Sequence, residues 1–590
     1  MQKIAGVNLS KQFQAGIIGL LAFLSYANTV QHNFVLDDDI LVLQNRFVQE
    51  GMSSLPEIFS HGYLYGFNQK NDQSYRPVPL AVAAVINTLF GNSPKAYHLL
   101  NILAYVLCCL LLFIWLSRCF EMQFPSLPFW ASLLFVLHPI HTEVVANVKS
   151  LDELLHFIFA VSSLIYWSKY LEKKESKSLF FSLLFFALAM LSKEIGLSLL
   201  LILPLTAFTF QKLDLKSSLK LSWPFVAIAV GYFLLRSAVL ESLTFEEDMK
   251  VINNALAGAD TYAEQLATTF YIFSEYVKLL FFPHPLSWDY SVPYFELVDF
   301  TNARVLLTVS ILLLATIFAI KEFGKRSYYS YLFFFFCAAF ALSSNFIVLI
   351  GATLGERLLF FPSIAWAVLI PYALFKLVEK QHFMKMAYFN LILGIISILF
   401  FAKTIDRNKD WKDNEALFIS GVEATPNNAR AQSALASVYR VRGEQTNQII
   451  QKQEYLNEAA RLYEKSLALY NENSNAWYNL GVTLMGLKHQ ASAQKAFEKA
   501  IEYSPDHLNA LNNLGVIYFR SSELQKAEYY FSECVRVNPN FQSAYANLGA
   551  VYHNFGDYQQ AAKYYQKALS LNPNDLTSRK NLQQLQSDMQ

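Results

Sequence analysis

Charge is what this 590-residue chain has least of: 16% of its residues are Asp, Glu, Lys or Arg, against about 25% in a typical soluble domain. The scarcity is uneven. Lys, Glu, Asp and Asn crowd the last third and Phe, Leu and Ile the first two, which reads as two domains built for two solvents. Acids and bases nearly cancel at a net +1, so the pull that a nucleic-acid binder needs is missing. Cysteine is scarce as well. Cys108, Cys109, Cys119, Cys337 and Cys534 show no C-x-x-C spacing, and four lie in or beside apolar runs. They read as packing residues without a disulfide framework. Sequons for Asn-linked sugars are nearly absent, Asn8-Leu9-Ser10 being the one occurrence.

Apolar residues are abundant, at 54% of the chain with 15% aromatic. A membrane span needs about 20 of them in a row. Runs of that kind lie at roughly 12–30, 97–117, 125–137, 151–169, 178–192, 195–211, 221–240, 304–320, 328–350, 358–377 and 386–403, which makes about 11 spans. The first run lacks a small-residue cleavage site and reads as a retained helix. A further stretch, 265–282, holds Glu275 and Lys278 and reads as an interfacial or re-entrant helix. With that choice and a cytoplasmic N-terminus, the basic clusters at Lys3/Lys11, 169–177, 211–220, 321–326 and 376–385 all fall inside. The segments 31–96 and 138–150 then fall outside. So do the C-terminal residues, in the bacterial periplasm or the lumen of the endoplasmic reticulum.

The last third repeats. Gly481, Gly515 and Gly549 end Asn-Leu-Gly triplets 34 residues apart, and Phe497, Phe531 and Tyr565 keep the same period, as do Pro505, Pro539 and Pro573. This is the tetratricopeptide period: small residues where paired helices cross, an aromatic facing the next hairpin, Pro after the second helix. An earlier unit starts at Pro426. Its Leu435-Ala436 lies 45 residues before Leu480-Gly481, so about 11 residues are inserted near 441–452. The count is about four repeats over 426–575 with a polar capping helix at 576–590. Such arrays bind proteins or peptides on a concave surface.

Ionisable residues collect where spans meet the outer side. Asp37-Asp38-Asp39 follows the first span, with Asn45 beyond it. Crowded carboxylates raise one another's pKa, which suits a general base or a cation site, although an acidic loop that sets topology has the same look. Arg76, Tyr97-His98, His138-Pro-Ile-His141-Thr-Glu143, Asp152-Glu153, Lys193-Glu194 and Glu356-Arg357 follow. A lone His is usually structural, and His138-x-x-His141 lacks partners for zinc. Arg357, Arg76 and Lys193 could together hold an anionic phosphate, Arg by bonding two oxygens at once. Carboxylates and cations on one membrane face, above apolar spans, are the parts needed to transfer a sugar from a lipid phosphate.

Several of these segments occur together in one family. Phe34-Val35-x-Asp37-Asp38, Tyr75-Arg76-Pro77, Tyr97-His98-x-x-Asn101, residues 135–155 (FVLHPIHTEVVANVKSLDELL), Lys193-Glu194-x-Gly196, Pro283-His284-Pro285-Leu286-Ser287, Ser344-Asn345, Gly355-Glu356-Arg357 with Pro362-Ser363, and Arg407-Asn408-x-x-Trp411 resemble the transmembrane and tetratricopeptide-repeat-containing family. That family is similar to protein O-mannosyltransferases of the C-type glycosyltransferase fold. The resemblance implies a polyprenyl-phosphate mannose donor, a Ser or Thr hydroxyl acceptor on a translocated protein, and inverting transfer. It maps the catalytic acidic pair onto Asp37 and Asp38. Arg76, His98, Lys193 and Arg357 become donor contacts, with His138, His141, Glu143, Glu194 and Glu356 shaping the site. Asp39, the small number of repeats and Leu358-Leu359-Phe360 depart from the family pattern.

The expectation is therefore an all-α chain: a polytopic membrane domain at 1–405, a junction at 406–425, and the tetratricopeptide solenoid. Its donor is a lipid-linked sugar, its partners are membrane lipid and acceptor proteins, no nucleic acid is involved, and no metal ligands are assigned. The alternative is a non-catalytic membrane-anchored tetratricopeptide scaffold. A transporter fits poorly, because the ionisable groups lie at span ends and not at the bilayer midplane.

Overall fold

The structure, a computed structural model, describes residues 10–70, 74–241, 249–380 and 386–588. Lys3, Asn8 and part of the 376–385 cluster lie outside them. The described residues contain helices and turns and no strand. The chain divides into two compact units, Met1–Thr425 and Pro426–Gln590.

In the first unit each of the 11 apolar runs falls on a helix. Five helices are long and apolar enough to cross a membrane: Lys11–Gln31, Pro94–Phe120, Trp223–Leu240, Ala303–Phe323 and Met386–Trp411. A sixth candidate is Leu127–Leu137 with Pro139–Ala146, bent by 53°. The chain is thus a multi-pass membrane protein. Fewer full spans meet the length criterion than hydropathy gives, because several runs end early or carry charge. Ser176–Ser192 stops at 17 residues, Tyr328–Phe340 gives way to a turn, and Leu151–Lys173 opens on Asp152 and Glu153. The stretch around 265–282 is the helix Tyr262–Phe281, whose buried Glu275 is paired by Lys278 and Arg304, each at 2.6 Å.

Two segments differ from the expectation of plain outer loops. Within 31–96 lies an apolar helix, Pro77–Phe90. At about 21 Å it is too short to span and so escapes a 20-residue window. Residues 138–148 are wholly buried. Pro139 has no N–H to continue the preceding helix, so the chain breaks at His138 and packs back into the protein. The expected junction is folded too. Asn414–Ala424 is helical, Trp411 is buried, and the Lys412 carbonyl and Asn414 side chain accept the N–H groups of Asn33 and Leu36 at 2.9 Å each.

The second unit is a set of helical hairpins: Ala429–Gln445 with Ile449–Leu469, Ser474–Gly486 with Gln490–Tyr503, Leu508–Arg520 with Leu524–Val537, and Gln542–Phe555 with Tyr558–Leu571, followed by Leu576–Asp588. The inserted residues lengthen both helices of the first hairpin. The repeating aromatic packs inside its own hairpin: a Cβ on Gly481, Gly515 or Gly549 would meet Phe497, Phe531 or Tyr565 at 2.6, 2.5 and 2.6 Å. Glycine there is the condition for the helices to close on the ring.

Candidate functional site

The acidic turn sorts its carboxylates by burial. Leu36 has φ +50°, an uncommon value for a branched residue, and its N–H is held by Asn414. Asp37 therefore points outward, with 55% of its side chain exposed. Asp38 turns inward and is fully buried. Its two oxygens accept the N–H groups of Val35 at 3.0 Å and Lys149 at 2.7 Å. Burial pushes its carboxyl up to about 7, against the pull of these backbone donors. Asp38 is thus a clip that fastens the turn to residues 147–149. Asp39 is half buried, which raises it more mildly, and opens the π-helical turn Asp39–Leu43.

Around this turn lies one charged cluster. Arg76 reaches Asp152 at 2.7 Å and Glu194 at 2.9 Å. Lys193 reaches Glu153 at 2.5 Å and Asp152 at 3.4 Å. Arg357 binds Glu143 twice, by its guanidinium at 2.6 Å and its backbone N–H at 2.9 Å. Lys149 stands among them. Its nearest carboxylate is Asp37 at 4.0 Å, and it feels Arg357, Asp152, Asp37 and Arg76. Burial, then Arg357, lowers its pKa. The break at His138 positions Glu143, the start of Leu151–Lys173 positions Asp152 and Glu153, and the turn after Ser176–Ser192 supplies Lys193 and Glu194. Chain segments far apart in sequence so meet at one place.

Of the residues singled out from sequence, Asp37, Arg76, Glu143, Lys193, Glu194 and Arg357 come together here. The histidines have other partners. His98 Nε2 pairs with the Asn33 carbonyl at 3.2 Å, His138 Nε2 with the Leu280 carbonyl at 3.0 Å, and His141 with Ser363 Oγ at 3.0 Å and the Tyr105 hydroxyl at 3.2 Å. All three are buried. Glu356 has partners of its own. One oxygen takes the Ser287 N–H at 2.7 Å and the Tyr290 hydroxyl at 2.8 Å, with Arg407 at 3.7 Å. Burial pushes its carboxyl up to about 7 in spite of Arg407. Lys149 went unassigned in the sequence, although it is the one cation in the run 135–155.

Fold and site define a class: a multi-pass membrane protein with a cluster of charged residues at its helix ends, carrying a tetratricopeptide array. Two family models match it. Residues 72–240 match the dolichyl-phosphate-mannose-protein mannosyltransferase model, and 450–572 match the middle tetratricopeptide-like domain of cilia and flagella-associated protein 70. The chain is 27% identical over 434 residues to the protein O-mannosyl-transferase F38B6.6 of Caenorhabditis elegans, covering 71% of this chain and 59% of the relative. It is 24% identical over 520 residues to human protein O-mannosyl-transferase TMTC1, covering 81% and 57%. The chain thus spans somewhat over half the length of these curated relatives. Among solved structures it is similar to a crystal structure of MamA protein, at 24% identity over 27% of this chain and 80% of that one, with a TM-score of 0.23. The resemblance carried by the motifs is borne out by these relatives.

Proposed function

We propose that the membrane unit is a glycosyltransferase that moves a mannosyl group from a polyprenyl-phosphate donor to Ser or Thr hydroxyls of translocated proteins. The observation that carries this reading is an exposed carboxylate, Asp37, beside a cluster of four cations at helix ends. Asp37 takes the proton of the acceptor hydroxyl as its oxygen attacks the anomeric carbon. The bond from that carbon to the phosphate oxygen breaks, and the pair leaves with the polyprenyl phosphate. Lys149, Arg76 and Arg357 meet the charge gathering there. Lys193 holds Asp152 and Glu153, and Asp38 positions the turn. The relatives' names support the reaction class.

The repeats select or present the acceptor. The unit faces the periplasm of a bacterial inner membrane, or the lumen of the endoplasmic reticulum in a eukaryotic cell. The test is transfer of radiolabelled mannose from polyprenyl-phosphate mannose to membrane or periplasmic protein by the purified chain, beside Asp37→Asn. Label with the wild type that vanishes in the variant supports the reading. No label with either, together with intact capture of partner proteins, favours the scaffold.

A further inference from the structure

Two motifs singled out in the sequence have no part in the reaction proposed above: Arg407-Asn408-x-x-Trp411, and the segment Pro283–Ser287. Both belong to the first unit. Asn408 is buried, and its side-chain NH2 donates to the Ser25 carbonyl at 2.7 Å and to Asn28 Oδ1 at 2.8 Å. Trp411 is buried three residues on. These contacts anchor the segment 407–414 to the end of the first helix, Lys11–Gln31.

From that anchor the segment grips two residues of the site. Asn414 Oδ1 accepts the N–H of Leu36 at 2.9 Å, and the Lys412 carbonyl accepts that of Asn33 at 2.9 Å. Leu36 directly precedes Asp37 and has φ +50°, a region that a leucine rarely occupies unaided. Its φ sets the direction in which the chain enters Asp37. Asp38 fastens the turn from the inner side, and Asn414 holds Leu36 in the conformation that aims its neighbour. Arg407 makes the second grip. It is 2% exposed, bonds Asp410 at 2.8 Å and lies 3.7 Å from a Glu356 oxygen. That oxygen also takes the Ser287 N–H and the Tyr290 hydroxyl. Glu356 directly precedes Arg357. In each case the segment holds the residue just before the one that does the chemistry.

We infer that the segment 407–414 is a positioning brace: Asn414 aims Asp37, and Arg407, through Glu356, seats Arg357, so that base and phosphate cation keep one spacing. The inference rests on the sugar transfer proposed above. Asn414 and Arg407 are positioning residues, and their effects separate. Asp37 acts as the hydroxyl proton leaves, so its misplacement appears in kcat. Arg357 meets the phosphate in the bound donor, so its misplacement appears in donor KM.

The test is steady-state transfer from polyprenyl-phosphate mannose to membrane or periplasmic protein, with the full chain in lipid nanodiscs. Asn414→Ala lowers kcat about ten- to a hundredfold and leaves donor KM unchanged. Adding Leu36→Gly to Asn414→Ala recovers a large part of kcat, because glycine takes a positive φ without help. A hydrogen bond that served stability alone would not be rescued this way. Arg407→Lys keeps the charge, but a single ammonium cannot serve Asp410 and Glu356 as the guanidinium fork does; donor KM rises about three- to tenfold. Unchanged kcat in Asn414→Ala, or a loss that Leu36→Gly fails to relieve, overturns the assignment of Asn414. Unfolding of Asn414→Ala that Leu36→Gly does not reverse makes the bond a fold contact and overturns it as well. Unchanged donor KM in Arg407→Lys removes the second grip. In all of these the wild type still transfers sugar and the proposed reaction stands. Absence of transfer by the wild type takes down the reaction and the brace together.

Discussion

Asp37 and Asp38 are neighbours in sequence, and the structure gives them opposite sensitivities. Asp37 is mostly exposed, and its nearest cation is 4.0 Å away. Asp37→Asn should leave the unfolding midpoint in place and lower transfer by about two to four orders of magnitude, the usual contribution of a general base. Asp38→Asn puts an NH2 where one of two backbone N–H groups needs an acceptor, which costs about 1–3 kcal/mol. That penalty depends on pH. The folded value near 7 lies above the ordinary 3.8, so the folded protein holds the proton more tightly than the unfolded chain. Stability from this group is fully present below pH 3.8 and is lost as pH rises through about 7. The span of about three pH units corresponds to a few kcal/mol. The variant has nothing to ionise there. Its deficit against wild type should therefore narrow between about pH 4 and pH 7. Apparent unfolding midpoints in nanodiscs, taken across that range, read the difference directly. Parallel profiles for wild type and Asp38→Asn would refute the buried-carboxyl argument. Retention of more than about a tenth of wild-type transfer by Asp37→Asn would remove it as the base.

Lys149→Met removes a partly buried cation crowded by Arg357; unfolding should be unaffected or shifted upward, while kcat for transfer falls about tenfold or more, and unchanged kcat would exclude Lys149 from the reaction. Glu143→Gln frees Arg357 from a two-point hold and should destabilise the first unit by up to about 3 kcal/mol, the lower end for a broken buried pair; steady-state transfer kinetics should show a raised donor KM. In the repeats, Gly515→Ala drives a Cβ into the Phe531 ring and should destabilise the array by about 1–3 kcal/mol. Phe531→Leu should recover part of that loss in circular-dichroism melts, and a variant as stable as wild type would contradict the close crossing.

The repeats were readable because one spacing is written three times, and each Gly faces its ring through that spacing. The apolar runs were readable as helices because a bilayer demands length and composition together. What hydropathy could not deliver was where helices stop. Pro139 turns the chain into the protein, and burial of the 138–148 segment depends on neighbours that a sequence window does not contain. The charged residues were legible as a set, and their pairing was not. Three histidines beside the acidic motifs looked equally ready for chemistry, yet each meets a carbonyl or hydroxyl of a distant segment. Asp37 and Asp38 could not be told apart from sequence, since the difference is a single left-handed residue and an Asn 378 positions away.

The pairing also bears on how a phosphate would be received. Arg76, Lys193 and Arg357 each lie within 3 Å of a carboxylate, so none is a bare charge waiting for an anion. Lys149 is held most loosely in the cluster, and its partner is Asp37. On the proposed reaction these two charges are linked. When Asp37 accepts the hydroxyl proton it becomes neutral and releases its hold on Lys149. In the same step the donor phosphodiester becomes a phosphate monoester and gains the negative charge that Asp37 gave up. The net charge of the site is unchanged, and the Lys149 ammonium only exchanges one oxygen anion for another. Its side chain is only 18% exposed, which makes that exchange stronger than it would be in open water. The carboxylates beside Arg76, Lys193 and Arg357 hold those cations in place, so Arg76 and Arg357 meet the leaving phosphate from set positions, and Lys149 is the cation that changes partner.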